Sequence, residues 1–227
     1  MTSAVRWRRS LLRRNDDPVT GLRLRNAREA SGLRAYLDKV LALDNRAVVR
    51  LQAAGEVLGV WSGPPFQVVA LRPVALRVQT RLDATVPAQR LLDRLSDDGA
   101  VESLPPVVAG PTWVGLLPPR SGWEERGRAD VAQVRAAIES AKHFFRERAE
   151  GISDRNQLDA IAADVWQRAC LAEVPVRAAH AAQSLGLLGP DSGEVIAYAQ
   201  TGWLRLRAPG GSVATRREIL PGLGLVF

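Results

Sequence analysis

Reactive side chains are scarce in this sequence. Its 227 residues hold two histidines, His143 and His180, and one cysteine, Cys170. That supply excludes a zinc site built from Cys and His, which needs four such ligands. A single cysteine also forms no internal disulfide, so a reducing, cytoplasmic setting is the default. The chain has no Gly-x-Ser-x-Gly elbow, no His-Glu-x-x-His pair, no Gly-x-x-x-x-Gly-Lys phosphate loop and no Gly-x-Gly-x-x-Gly dinucleotide fingerprint. Asp97-Asp98 and Glu124-Glu125 are neighbours in sequence, a poor arrangement for facing each other across a substrate. No catalytic residue, metal site or cofactor is therefore expected, and the chain reads as a non-enzyme. No apolar run approaches the ~20 residues that span a bilayer, so no membrane span is expected. Met1 to Arg14 is basic but lacks the apolar centre of a signal peptide.

Lysine is equally rare. Of 31 basic residues only Lys39 and Lys142 are lysine, and the net charge is +7. An arginine skew alongside much Ala, Val, Leu and Gly is what a GC-rich genome produces, so arginine content alone says little. Its distribution says more. Up to residue 35, nine arginines stand against Asp16, Asp17 and Glu29, so most of the excess charge belongs to the start of the chain. Residues 1–25 have no sustained apolar periodicity and read as a basic flexible arm with Trp7 among Arg6, Arg8 and Arg9. Such an arm suits DNA, anionic lipid or an acidic protein, and equally serves as a solubilising tail.

The composition, 46% hydrophobic and 24% charged, is that of an ordinary globular protein. Residues 26–103 read as an α+β domain. Asn26 and Glu29 cap a helix with Leu33, Leu37, Val40 and Leu41 on one face. Strand-like stretches follow at Val48 to Gln52, Val57 to Trp61, Phe66 to Leu71 and, after a break at Pro73, Ala75 to Thr80. A short helix then carries Leu91, Leu92 and Leu95.

Residues 104–128 form a Pro- and Trp-rich connecting segment in which Trp113 to Leu117 reads as a strand. Trp113, Arg120 and Trp123 are candidate ligand contacts, with the arginine holding an anion and the indole acting as a platform. The plainer alternative is a loop whose tryptophans seal two halves of the fold.

Residues 129–220 read as a winged-helix-like domain by element order. Asp130 and Gln133 cap one helix, and Asp154 and Gln157 cap the next. A third, small-sided helix starts after Pro175, with Ala178, Ala181, Ala182 and Leu185 on one face and Arg177, His180 and Ser184 on another. Strands on either side of Thr201-Gly202 and Pro209-Gly210-Gly211 follow. In a winged helix, Arg177 and His180 would meet base edges or phosphates, and Arg205, Arg207, Arg216 and Arg217 would rim the wing. Antiparallel strands with a wet face ordinarily carry such arginines too. The apolar tail, residues 221–227, suits packing on the body or docking on a partner.

The pairing of Leu117-Pro118-Pro119-Arg120-Ser121-Gly122-Trp123 with Gly202-Trp203 and Gly211-Ser212-Val213 resembles the uncharacterised Arg- and Ala-rich proteins of high-GC actinobacteria. That resemblance implies no activity and transfers no site. The fold class expected is α+β, an N-terminal helix and antiparallel meander followed by a helical part with a β-hairpin. Three functions stay open: a DNA-binding accessory factor, a protein-interaction or scaffolding module, and a small-molecule-binding protein of unknown ligand with a pocket near Trp113 to Trp123. An exposed polar face on the third helix, continuous with the hairpin arginines, is the condition for the first.

Overall fold

A computed structural model describes residues 21–217. Most of the expected basic arm, with Trp7, and the apolar tail lie outside the described residues. The α+β class holds: five α-helices accompany a six-stranded antiparallel sheet among the described residues.

Strand β1 (Leu22–Arg23) leads into helix α1 (Ala27–Leu43). Asn26 caps that helix, its Oδ1 accepting from the Glu29 N–H at 3.0 Å. Strands β2 (Val48–Ser62) and β3 (Val68–Pro87) form a long hairpin, and helix α2 (Ala88–Arg94) and strand β4 (Ala100–Val101) follow. Pro73 does not break β3. It sits beyond Leu71, where pairing with the last described strand ends, so its missing N–H costs no ladder bond there.

The connecting segment holds a 3₁₀ turn at Thr112–Gly115 in place of the expected strand. Strand β5 (Glu124–Asp130) then runs directly into helix α3 (Val131–Ala149). The Asp130 N–H donates to Gln133 Oε1 at 3.0 Å, completing the expected capping box. Helix α4 (Arg155–Gln167) is capped by Asp154, which accepts from the Gln157 N–H at 2.8 Å. Short strands β6 (Ala169–Leu171) and β7 (Val174–Pro175) precede helix α5 (Val176–Ser184). Strands β8 (Glu194–Gln200), β9 (Trp203–Ala208) and β10 (Gly211–Arg216) close the described chain. Thr201-Gly202 and Pro209-Gly210 supply the two-residue turns between them, with Gly202 at φ 74°.

The large sheet has the order β2-β3-β10-β9-β8-β5. Strand β10 pairs with β3 through Ser212–Leu71, Val213–Ala70, Ala214–Val69 and Thr215–Val68. Hairpin β9–β10 is thus interior to a sheet that crosses from one half of the chain to the other, and does not project as a wing. One hydrophobic core also joins the halves, holding Leu33, Leu37, Leu58 and Leu76 together with Ile138, Leu187, Leu206 and Val213. A smaller cluster of Ala141, Ile161, Val165 and Val176 binds α3, α4 and α5 to one another.

Alternation along the strands assigns the faces. Val195, Ala197, Ala199, Leu204, Leu206 and Val213 point into the core beneath the helices. The opposite face of the same strands carries Tyr198, Arg205, Arg207, Ser212 and Arg216.

Candidate functional site

The groups named from the sequence fall on two opposite sides of the sheet. On the helix side, Arg177 is buried, and its two terminal nitrogens donate to Gln67 Oε1 at 3.2 Å and Thr215 Oγ1 at 3.0 Å. The Thr215 hydroxyl in turn donates to the Gln67 carbonyl at 3.2 Å. Gln67 adopts φ 55°, a left-handed conformation uncommon for a non-glycine residue, at the tip of the β2–β3 hairpin. Arg177 therefore pins a strained turn of the first half to a helix and strand of the second.

His180, one turn further along α5, stacks on Trp166 with ring centroids 4.9 Å apart and meets Phe66 edge-on at 5.2 Å. Burial, reinforced by the Lys142 cation, holds its pKa below 6.5. A recognition helix needs its polar face in solvent, and here that face is packed on the hairpin tip and on α4. Arg177 is thus taken up within the fold and does not face solvent as a recognition helix would require, while His180 is half-buried at the edge of the same contacts.

The same contacts leave a surface groove of about 300 Å³ between the hairpin tip and helices α4 and α5. Pro65, Phe66, Ala162, Ala163, Trp166 and His180 line it. Its aromatic walls are held in place by the Trp166–His180–Phe66 contacts, so the groove is preformed. Small Ala162 and Ala163 on α4 leave the room. Phe66 and Trp166 were not singled out from the sequence as site residues. A Pro-Pro-Phe turn is a weak signal by itself, and only packing brings it opposite α4.

On the other side of the sheet, Arg205 and Arg207 share one face, as the alternation of β9 predicts, and the β9–β10 register puts Arg216 on the same face. The Arg205 guanidinium lies 4.2 Å from the Trp123 ring centre and 4.9 Å from that of Tyr198. Arg216 lies over Trp203 at 4.1 Å. Arg217 is instead ion-paired with Glu173. Burial, with the nearby Arg207 cation adding to it, lowers the Arg205 pKa.

The three ligand candidates of the connecting segment do not meet in one concavity. Trp113 packs by Gly63 and Pro64 near the end of α1, Arg120 borders a hollow over β2 and β3, and Trp123 covers Arg205. The Trp123 indole N–H donates to the Pro119 carbonyl at 2.9 Å, and Arg50 donates to the Val114 carbonyl. The segment is thus a strap laid over the outer face of the sheet. No group of three or more His, Cys, Asp or Glu side chains able to hold a metal occurs among the described residues, and no described helix is long and apolar enough to cross a membrane.

Residues 17–115 match a family described as a domain of unknown function (DUF8010), and residues 118–220 match a second described the same way (DUF8185). The boundary between them falls in the strap. No curated protein matches the chain. Among solved structures, the fold is similar to the DnaN sliding clamp (DNA polymerase III subunit beta) from Bartonella birtlesii bound to griselimycin. The TM-score is 0.54 at 11% identity, over 87% of this chain and 64% of that one. Caulobacter crescentus pol III beta gives 0.51 at 13% identity, over 82% and 63%. The H. pylori beta clamp in complex with 5-chloroisatin gives 0.51 at 12%, over 90% and 64%. The chain spans just under two thirds of the length of these clamps, and the fold it shares with them is sliding-clamp-like.

Proposed function

We propose that this chain is a non-enzymatic accessory protein of the cytoplasm that acts on DNA together with a protein partner, and that it holds the partner at the aromatic groove between the β2–β3 tip, α4 and α5. The groove itself carries the reading. It is preformed, open to solvent and lined by rings and small side chains, which suits an apolar anchor residue of a peptide. The clamp-like fold supports the DNA context. One Caulobacter crescentus clamp of that fold, matched at a TM-score of 0.51, is described with PEG bound at a putative beta-motif tethering region.

Selection of random peptides on the full-length protein tests the reading. Enriched peptides carry an aromatic or branched apolar anchor. Ala163→Glu, which places a carboxylate in the groove from an exposed helix position, weakens them by about tenfold or more without lowering the unfolding temperature. Selection that enriches no peptide, or peptides indifferent to Ala163→Glu, would end it.

A further inference from the structure

The strand register lays out the outer face of the sheet in rows. One row runs Arg128, Ile196, Arg207, Ser212, Leu71, Trp61 from β5 to β2, and the next includes Glu125, Tyr198, Arg205, Ala214 and Val69. Six strands at ~4.8 Å spacing make this face about 24 Å wide. Over β8 to β10 and β3 it is hollowed into an open trough of about 720 Å³, whose floor includes Ile196 and Leu71 and whose sides include Tyr198, Arg205 and Arg207.

The acids on this face are already engaged. Arg128 pairs with both Glu125 and Glu194, and Asp83 is held by Arg50 at 2.8 Å. Arg205, Arg207 and Arg216 have no carboxylate ion pair among the described residues, whereas the Arg120 cation is felt by Asp83. The trough is therefore cationic by excess. Its chemistry is mixed, with an apolar floor, ring faces and guanidinium planes side by side.

We infer that this outer face binds single-stranded nucleic acid, with Arg207 and Arg216 pairing phosphates and with bases lying against Tyr198 and the Ile196–Leu71 floor beside the ring-held Arg205. Single strands are bound by such interleaving of cations with flat surfaces, because unpaired bases expose faces that a duplex keeps stacked. Arg205 is pre-set for the task. Trp123 and Tyr198 hold its guanidinium in place, so little rotamer freedom is left to lose on binding. The inference goes beyond the peptide groove and does not depend on it, since the groove lies on the helix side.

Fluorescence anisotropy of the full-length protein with a labelled oligothymidine of about 12 nucleotides tests it, across a salt series and against a duplex of equal length. The single strand binds more tightly than the duplex. Arg207→Ala weakens it about tenfold and lowers the salt slope by about 0.7. Tyr198→Ala weakens it about fivefold or more, and Tyr198→Phe restores most of the loss. Arg90→Ala on α2 changes nothing, and Ala163→Glu weakens peptide binding while sparing the oligonucleotide. Equal affinity for duplex overturns the inference, as does indifference to Arg207→Ala. So does loss of all binding when Arg6, Arg8, Arg9, Arg13 and Arg14 are changed to Gln in the full chain, because the arm would then be the binder.

Discussion

Arg177 on α5 and Arg207 on β9 carry the same side chain in opposite circumstances. Arg177 is 8% exposed and donates through its terminal nitrogens to Gln67 and Thr215, so it works as an internal tie between the two halves. Arg207 lies in the open trough, flanked across the ladder by Ile196 and Ser212. Residue type made both candidates for phosphate contact. What separates them is whether protein groups already satisfy the guanidinium. A buried cation with good partners is structural, because removing it strands those partners. An exposed cation without one is available to a ligand.

The largest effect is expected at the junction that creates this contrast. A Cβ on Gly211 would overlap the Leu71 carbonyl oxygen, where β10 meets β3. Gly211→Ala should therefore destabilise by about 3 kcal/mol, and urea unfolding followed by tryptophan fluorescence would show the midpoint falling. Were the midpoint unchanged, the two halves would not be joined through that pairing.

Arg177→Ala comes next, at about 2 kcal/mol. It leaves Thr215 and Gln67 without their donor and frees the strained turn, so proteolytic cleavage near residues 63–67 should accelerate. A cleavage rate equal to that of the parent would remove Arg177 from its role as a tie.

His180 gives a smaller, pH-dependent term. Its folded pKa is depressed below 6.5, so the unfolded chain takes up a proton more readily than the folded one. Stability is therefore lost as pH falls through 6.5, and the loss levels off below the folded pKa. Thermal melts from pH 8 to 5 should show this slope, and His180→Phe, which keeps the ring stack, should flatten it. The acid groups that become protonated nearer pH 4 act outside that window. A slope identical in the variant would assign the effect to another group.

The smallest effect belongs to the outer face. Arg207→Ala should alter stability by no more than about 0.5 kcal/mol, read as an unchanged calorimetric midpoint. A marked loss would make Arg207 a second structural arginine and dissolve the distinction drawn from Arg177.

Much of the secondary structure was legible from local chemistry. Asn26, Asp130 and Asp154 announced their helices because a cap needs only a side-chain oxygen within a few residues of the N–H it accepts from. The turns at Thr201-Gly202 and Pro209-Gly210 were legible for the same reason. Strand β5 was not. Glu-Glu-Arg-Gly-Arg-Ala-Asp has no apolar alternation, and it becomes a strand because β8 offers it an unpaired edge. Trp113 was misread as part of a strand, since an apolar run alone does not distinguish a strand from a short turn packed on Gly63 and Pro64.

The candidate sites divide similarly. Arg205 and Arg207 share a face by the period of two along a strand, which the sequence determines by itself. The sequence also determined the α+β class and the shortage of Cys and His ligands, because these follow from composition and near-neighbour geometry. The tertiary structure alone decided that β10 would pair with β3, that Arg177 of α5 would be buried, and that Phe66 would stand opposite Trp166. Those contacts join residues up to 148 positions apart in the chain. No periodicity or capping rule encodes them, because their energy comes from burial and hydrogen bonds that exist only once both halves are folded together.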